Sequence, residues 1–199
     1  IVEGFDVNEF EQGQGGCVGV RAKQNFIEAD TFVVAAGALS PFLNEHLGCR
    51  LPIQPGKGYS LTMPTSGGVP EIPMILEQHR VAITPMNDRY RIGSTMEFAG
   101  YDESINPKRL DLLRRSAEIY LKDNLSEPVI EKWFGWRPMT WDGVPVIDRS
   151  PAMKNVWIAA GHNMLGLSMA PATGKLVQEL IDKDEPHLDR KRFELARLQ

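Results

Sequence analysis

Three segments of the 199-residue sequence hold the residues that could bind a ligand or do chemistry. The first, 31–37, is an apolar run that ends in two alanines and a glycine. The second, 135–147, carries Arg137 among tryptophans and prolines. The third, 158–174, passes from small apolar residues into a glycine-containing stretch with His162. Each segment also has an ordinary structural explanation, so none of them fixes a function by itself.

The third segment predicts a strand, a loop with Gly161 and Gly166, and a helix capped by Ser168 or its neighbours. This layout places free backbone N–H groups and the positive end of a helix at the carboxyl end of a strand. An anionic or electron-rich ligand edge would be stabilised there. The alternative is an ordinary strand-to-helix turn that needs glycine for its shape. The segment alone leaves both interpretations open.

Arg137 is a candidate anchor for a carboxylate, because a guanidinium binds that group through two parallel hydrogen bonds and stays charged when partly buried. An amino-acid substrate would need such an anchor. The alternative is an arginine stacked on Trp133, Trp136 or Trp141 by cation–π contact, without any ligand. The aromatic surroundings by themselves favour the stacked arrangement.

The elements that must position these segments follow from the apolar pattern. Continuous β-branched residues in 31–37 predict a strand buried on both faces, as in a parallel sheet. Its small terminal residues would let a ligand approach the backbone. Short strands within 1–30 and a helix over Pro41–Leu47, ended by Gly48, flank this strand.

Residues 51–98 predict antiparallel strands separated by proline, glycine and Asn-Asp turns. A helix should begin at the N-cap Asn106 with Pro107 in its first turn and continue until Glu127-Pro128. Its apolar stripe consists of Leu110, Leu113, Ala117, Tyr120 and Leu121.

Further strands are predicted over 129–137, 144–147 and 156–160. A last helix is predicted over about 170–183. Its buried face would be formed by Ala172, Leu176, Val177, Leu180 and Ile181.

Composition excludes several classes. The formal net charge of -4 gives no basic face for nucleic acid. Cys17 and Cys49 cannot form a structural zinc site alone, and free thiols in a reducing compartment are favoured over one disulfide. No apolar run approaches the roughly 20 residues that span a bilayer, and no signal peptide opens the chain. Because the sequence starts at Ile1 without an initiator methionine, we expect a piece of a longer protein.

In this order, the three segments resemble the FAD-dependent oxidoreductases of the D-amino-acid oxidase superfamily. The likeness covers about Cys17 to Ile181 and includes the strand-like stretches 54–61 and 91–101. Lys57-Gly58-Tyr59-Ser60 and Gly161-His162-x-x-Leu165-Gly166 make it most similar to the bacterial D-amino-acid dehydrogenase small subunit and its hydroxyproline-dehydrogenase-like relatives.

The resemblance implies a mixed α+β and α/β fold. A partial FAD-binding Rossmann-like domain would carry an inserted antiparallel substrate domain flanked by a helix. The implied division is 1–47 for the first part of the FAD-binding domain, 48–136 for the substrate domain, 137–185 for the return and 186–199 for a tail. The Gly-x-Gly-x-x-Gly fingerprint for the ADP half of FAD is absent from this sequence and is expected upstream of Ile1.

The resemblance also implies site residues. Cofactor contacts are expected from Ala35, Ala36, Gly37, Gly161, His162, Asn163, Met164, Leu165, Gly166, Leu167 and Ser168. Arg137, Tyr59 and His162 are the candidate catalytic residues. His162 could instead shape the flavin pocket by hydrogen bonding, and Tyr59 could be a core tyrosine. For His79 we favour an exposed surface position.

The implied reaction is oxidative deamination of a D-amino acid, of proline or hydroxyproline type among others, by hydride transfer to FAD. A quinone or protein carrier would accept the electrons. The alternatives are a glycine or sarcosine oxidase that uses oxygen, or a catalytically incompetent substrate-domain module. Asn163 and Met164 stand where glycine oxidase carries an arginine, which weakens the glycine alternative. The expected location is the cytoplasm, or the inner face of the bacterial membrane as a peripheral protein.

Overall fold

The computed structural model describes residues 1–65, 67–122, 125 and 127–198. The chain forms two compact units. The first unit combines Ile1–Gln54 with Arg137–Gln199, and the second unit is Pro55–Trp136. The chain therefore leaves the first unit once and returns to it. The assignment of these units to an FAD-binding domain and a substrate domain remains a prediction.

The first unit opens with an antiparallel three-stranded sheet of β1 (Glu9–Gly13), β2 (Gly16–Ala22) and β3 (Asn25–Glu28). Asn155 ties this sheet to a distant part of the chain. Its side chain accepts a hydrogen bond from the Cys17 backbone N–H at 2.8 Å and donates to the carbonyls of Cys17 and Asp30 at 2.6 and 2.9 Å.

A second three-stranded sheet carries the site. Its strands are β4 (Phe32–Val34), β10 (Val146–Arg149) and β11 (Val156–Ala160), in the order β10-β11-β4. Strands β4 and β11 run parallel, as the apolar pattern predicted. Their inner face, with Val34 and Ile158, joins the main apolar cluster of the unit.

The prediction that the 31–37 strand is buried on both faces is wrong for this chain. Val33 is 46% exposed, while its neighbour Val34 is buried. The reason is that β4 is an edge strand of only three residues, and the described part of the chain covers only one of its faces.

Two helical segments complete the first unit. A 3-10 helix over Gly37–Leu43 leads into the short helix α1 (Asn44–Leu47), which ends at Gly48 in a left-handed conformation with φ of 69°. This confirms the predicted stop, since glycine adopts that conformation without steric cost.

The long helix of the first unit spans Gly166–Asp182. It begins four residues before the predicted start at 170, so Ser168 lies inside its first turn and is not the cap. Leu176 and Val177 are buried, as predicted, and pack with Ile147. Ala172 is exposed, which corrects the predicted buried face.

The second unit contains most of a five-stranded sheet and one helix. The strands β5 (Gln54–Pro64), β6 (Met74–Leu76), β7 (Val81–Pro85), β8 (Arg89–Glu97) and β9 (Glu131–Met139) lie in the order β6-β7-β8-β5-β9. The antiparallel pairing of β5, β6, β7 and β8 confirms the arrangement predicted for residues 51–98.

The helix α2 (Pro107–Glu118) covers this sheet. The Asn106 side chain caps it by accepting a hydrogen bond from the Lys108 N–H at 3.1 Å, as predicted. Leu110, Leu113 and Ala117 are buried in the same cluster as the sheet residues. The helix ends at Glu118, so the predicted extension toward Glu127 is wrong. The long helix of the first unit, Gly166–Asp182, is called α3 below.

Among the described residues, no helix is long and apolar enough to cross a bilayer. Both cysteines are free, with Cys17 buried and Cys49 partly buried.

Candidate active site

An apolar cleft of about 420 Å³ lies in the first unit, between the site sheet and α3. It brings together four of the residues predicted to contact the cofactor. They are Ala35, Gly37, His162 and Gly166. The cleft wall does not include the other predicted contacts. Ala36 lies between β4 and the 3-10 helix, and the rest lie on the loop and on the first turn of α3.

The cleft also includes residues that were not predicted from the sequence to contact a ligand. Gly166, Ala170 and Gly174 recur every four residues along α3, and Thr173 stands beside them. This spacing puts small residues on one face of a helix, where a flat ligand or a backbone could approach closely. The four-residue period is visible in the sequence and could have pointed to this wall.

The first turn of α3 forms one end of the cleft. The first N–H of the helical ladder is that of Met169, which donates to the Leu165 carbonyl at 2.9 Å. The N–H groups of Gly166, Leu167 and Ser168 precede it and have no carbonyl within the helix. No side chain caps this end in the described chain. Partial positive charge is therefore available to an anionic ligand edge.

His162 lies beside this helix end, with its Nε2 atom 3.0 Å from the Thr173 hydroxyl. Burial lowers the pKa of His162 from its ordinary value, because the imidazolium form loses hydration. Burial therefore favours the neutral imidazole, and the ring joins the loop to α3 by one hydrogen bond. This geometry fits a histidine that shapes the pocket.

Asn163 has its side chain turned into the protein. Its Oδ1 atom accepts from the Thr140 N–H at 3.1 Å, and its Nδ2 atom donates to the Thr140 hydroxyl and the Gly161 carbonyl at 3.0 Å each. Any contribution of Asn163 to the predicted cofactor contact would therefore come from its backbone.

The remaining apolar residues of the loop face outward. Met164 is 67% exposed, Leu165 57% and Leu167 93%. Exposed apolar side chains next to an apolar cleft are typical of a surface that another body covers.

Arg137 is the most unusual charged residue of the first unit. Its Nη1 atom is buried and has no hydrogen-bond partner among the described residues. Burial lowers the pKa of the Arg137 guanidinium, although an arginine remains charged. Within the described residues, Arg21 and Lys57 lie over aromatic rings, but Arg137 does not. The described contacts therefore give the stacked alternative no support, and the guanidinium keeps a buried donor without a hydrogen bond.

Tyr59 is placed differently from the catalytic prediction. It is 1% exposed, and its hydroxyl donates to the Glu97 carboxylate. Burial raises the pKa of Tyr59, and the bond to Glu97 adds to the effect. Glu97 is itself paired with Arg109 at 2.9 Å. The structure therefore favours the core-tyrosine alternative, because the hydroxyl already has a partner within the second unit.

Lys57, from the same motif, is also part of that core. It is fully buried and its Nζ atom lies 3.0 Å from Asp102. Burial alone would lower the pKa of Lys57, but the bonds to Asp102 and Tyr59 outweigh it and raise the pKa. His79 is exposed, as predicted, and its Nδ1 atom lies 2.7 Å from the Tyr120 hydroxyl.

Solved structures similar to this fold include a glycine oxidase and an L-proline dehydrogenase. Glycine oxidase from Geobacillus kaustophilus superposes with a TM-score of 0.85 and 25% identity, covering 96% of this chain and 52% of that chain. L-proline dehydrogenase from P. horikoshii superposes with a TM-score of 0.80 at 23% identity, covering 97% of this chain and 53% of that chain. This second likeness concerns the fold alone.

Curated relatives extend the likeness in sequence. A D-amino acid dehydrogenase from Paramagnetospirillum magneticum is 37% identical over 165 residues, which is 82% of this chain and 39% of the relative. A D-amino acid dehydrogenase from Chromohalobacter salexigens is 36% identical over 188 residues, 94% of this chain and 45% of the relative. The chain thus spans less than half the length of these two relatives.

The family described as "DAO: FAD dependent oxidoreductase" matches residues 1–180, nine-tenths of the chain. The match includes the β4 strand end, Arg137 and the Gly161–Ser168 loop. The chain belongs to the DAO family of FAD-dependent oxidoreductases.

Proposed function

We propose that this chain is the flavin-facing and substrate-binding part of a D-amino-acid dehydrogenase. The observation that carries the proposal is the buried Arg137 Nη1 atom without a hydrogen-bond partner. A substrate carboxylate at the guanidinium would give this cation an anionic partner. The curated relatives named D-amino acid dehydrogenase, at 36% and 37% identity, support this substrate class.

The residues present fit the ring end of FAD. The cleft wall is made of small residues, so a flat ring system could approach the backbone of α3 at Gly166 and Ala170. The N–H groups at the start of α3, which have no carbonyl partner within the helix, would face an electron-rich edge. The predicted contacts from 35–37 and 161–168 stay a proposal, with Ala35, Gly37, His162 and Gly166 best placed for it.

When bound, FAD supplies the hydride acceptor for the reaction. In the proposed reaction the substrate loses the hydride of its α-carbon, and its amine must be neutral so that the nitrogen lone pair can assist. A carbon–nitrogen double bond forms, and water hydrolyses the imine to an oxo acid and ammonia.

The protein's own residues orient the substrate and stabilise charge. Arg137 would hold the carboxylate through two hydrogen bonds and so fix the direction of the α-carbon–hydrogen bond. The first turn of α3 would stabilise negative charge that develops at the cofactor edge. The neutral His162 would hold the loop to α3 through Thr173, and we assign it no proton transfer.

A glycine or sarcosine oxidase is the second candidate. The likeness to glycine oxidase, with a TM-score of 0.85, supports it at the level of the fold. The loop that follows Gly161 argues against this candidate. It carries Asn163, whose side chain is bound to Thr140, in the region where glycine oxidase carries an arginine. A fragment without catalysis is the third alternative.

The destination of the electrons belongs to the same proposal. We propose a quinone or a protein carrier as the acceptor, and a cytoplasmic location that includes peripheral attachment at the inner face of the membrane. The support is the likeness to the dehydrogenases.

A panel of D-amino acids tests the proposal in the intact protein. Each amino acid is offered with an artificial electron-accepting dye, and with oxygen alone in parallel. The proposal predicts dye reduction with D-amino acids and little hydrogen peroxide. Peroxide formation with glycine or sarcosine would support the oxidase instead, and inactivity toward the whole panel would support the fragment without catalysis.

A further inference from the structure

We infer that Asn163 is a positioning residue. Its hydrogen bonds lock the 161–165 loop onto residues 138–140 at the end of β9, and this lock fixes the position of Arg137 relative to the first turn of α3. The inference rests on the proposed function, because it concerns the geometry in which that reaction would occur. Every residue in it belongs to the first unit.

The lock consists of four hydrogen bonds centred on one residue. The Asn163 side chain makes the three bonds to Thr140 and Gly161 described above. Its backbone N–H donates to the Pro138 carbonyl at 3.0 Å. Three of the four bonds cross 23 or 25 residues of sequence to reach 138–140. The lock therefore joins two separate parts of the chain.

Two backbone conformations show that the loop is shaped for this contact. Asn163 has a φ of 55°, a left-handed conformation that asparagine tolerates better than most residues. Gly161 has a φ of 86°, and a Cβ atom there would lie 2.7 Å from the Thr140 Cγ2 atom. Thr140 itself is 7% exposed. The loop and the strand end therefore meet at a distance that only glycine permits.

The positions of the bonds explain why the lock would matter for the reaction. Pro138 and Thr140 follow Arg137 by one and three residues. Asn163 precedes Gly166, the first residue of α3, by three residues. A shift of the loop would change where the proposed carboxylate anchor stands relative to the helix end. Misplacement by about 1 Å can cost about a hundredfold in rate.

A matched control exists in the same unit. Asn155 also makes three side-chain hydrogen bonds that connect distant parts of the chain, but it reaches Cys17 and Asp30 rather than the site. Replacing it removes a comparable set of bonds from a place with no expected role in substrate binding.

The test compares Asn163→Gly with Asn155→Ala in the intact protein. Glycine at 163 keeps the left-handed backbone accessible and removes only the side chain. Three readouts are needed: amide hydrogen exchange of residues 137–140 and 161–166, the Kd of benzoate as a carboxylate probe, and KM and kcat for a D-amino acid. Benzoate binding is followed through the flavin absorption spectrum.

The inference predicts for Asn163→Gly a roughly tenfold rise in the exchange rate of the Thr140 amide, whose acceptor is lost. Benzoate Kd and KM should rise by a similar factor. Asn155→Ala should keep benzoate Kd and KM within about twofold of wild type. Asn163→Asp keeps the oxygen that accepts from the Thr140 N–H but sets a carboxylate oxygen against the Gly161 carbonyl, so it should not restore the wild-type benzoate Kd.

Thr140→Val gives a second route to the same answer if Asn163→Gly does not fold. It removes the hydroxyl partner, whereas Thr140→Ser keeps it and should behave as wild type. Because both changes act on one set of bonds, the double variant Asn163→Gly/Thr140→Val should be no worse than the stronger single variant.

Normal benzoate Kd and KM in a folded Asn163→Gly protein would overturn the inference and leave Asn163 with a structural role. Failure of the proposed function would look different, since wild type would then oxidise no D-amino acid. Hydrogen exchange would still decide the lock in that case: faster exchange in both segments would support it, and unchanged exchange would refute it.

Discussion

A buried guanidinium nitrogen without a partner is costly, because the group has lost its water and gained no hydrogen bond in return. Arg137 is in this position, with its Nη1 atom enclosed by the protein. The sequence indicated the residue and its possible ligand, but the aromatic neighbours favoured cation–π stacking. That stacking is not found for Arg137 in the described chain.

Asn163 and Tyr59 show why side-chain roles were harder to predict. The bonds of Asn163 go to Thr140, 23 residues earlier, and Tyr59 bonds to Glu97, 38 residues later. No local pattern encodes either pairing. The sequence therefore placed both residues in the candidate site, whereas the structure shows that their polar groups are already bound within the protein.

His162 gives a prediction about pH. Its pKa is lowered in the folded chain by burial, so just below the ordinary value of about 6.5 the unfolded state binds a proton that the folded state does not. The free energy of unfolding should therefore decrease as the pH falls through that range. His162→Gln removes this contribution to the pH dependence. The melting temperature of the variant minus that of wild type should therefore increase as the pH is lowered from 7.5 to about 5.5. A constant difference across that range would contradict the assignment.

At the scale of elements, the sequence predicted most strands and both longer helices, because their signals are local. Strand-like apolar segments between turn residues predicted the antiparallel strands within 54–97. An asparagine followed by proline predicted the start of α2. The errors have physical reasons. β4 has an exposed face because neighbours, rather than its own apolar residues, decide burial. α3 begins early because Gly166 starts it without a side-chain cap.

The cap of α2 gives a prediction at this scale. Asn106→Ala removes the acceptor for the Lys108 N–H, which lies 3.1 Å from the Asn106 Oδ1 atom. We expect a loss of about 1 kcal/mol in the free energy of unfolding, measured by urea denaturation. Asn106→Ser keeps a capping oxygen and serves as the control, with most of that loss recovered. Equal losses in both variants would show that the capping bond does not contribute.

At the scale of the whole molecule, the chain covers only part of the proteins that it matches. It spans 39% and 45% of two curated relatives and contains no Gly-x-Gly-x-x-Gly sequence. Val33, Met164 and Leu167 are exposed around the apolar cleft. These features agree with a surface that a further part of the protein would complete.

This division predicts weak FAD binding by residues 1–199 alone. The proposed ring end of the site lies within these residues, but the fingerprint that binds the ADP half is not in this sequence. After mixing with FAD and gel filtration, we expect less than one flavin per ten chains. The intact protein, treated in the same way, should retain about one flavin per chain. A stoichiometric flavin spectrum from the short chain would refute the prediction.

The central claim is that Arg137 binds a substrate carboxylate, and one kinetic comparison tests it directly. The kcat/KM of wild type and Arg137→Ala is measured for the D-amino acid on which the intact protein is most active, and for the amine that lacks its carboxylate. Arg137→Ala should lower kcat/KM for the amino acid by about a hundredfold or more and leave the amine nearly unchanged. Equal kcat/KM of the two proteins for the amino acid would contradict the claim.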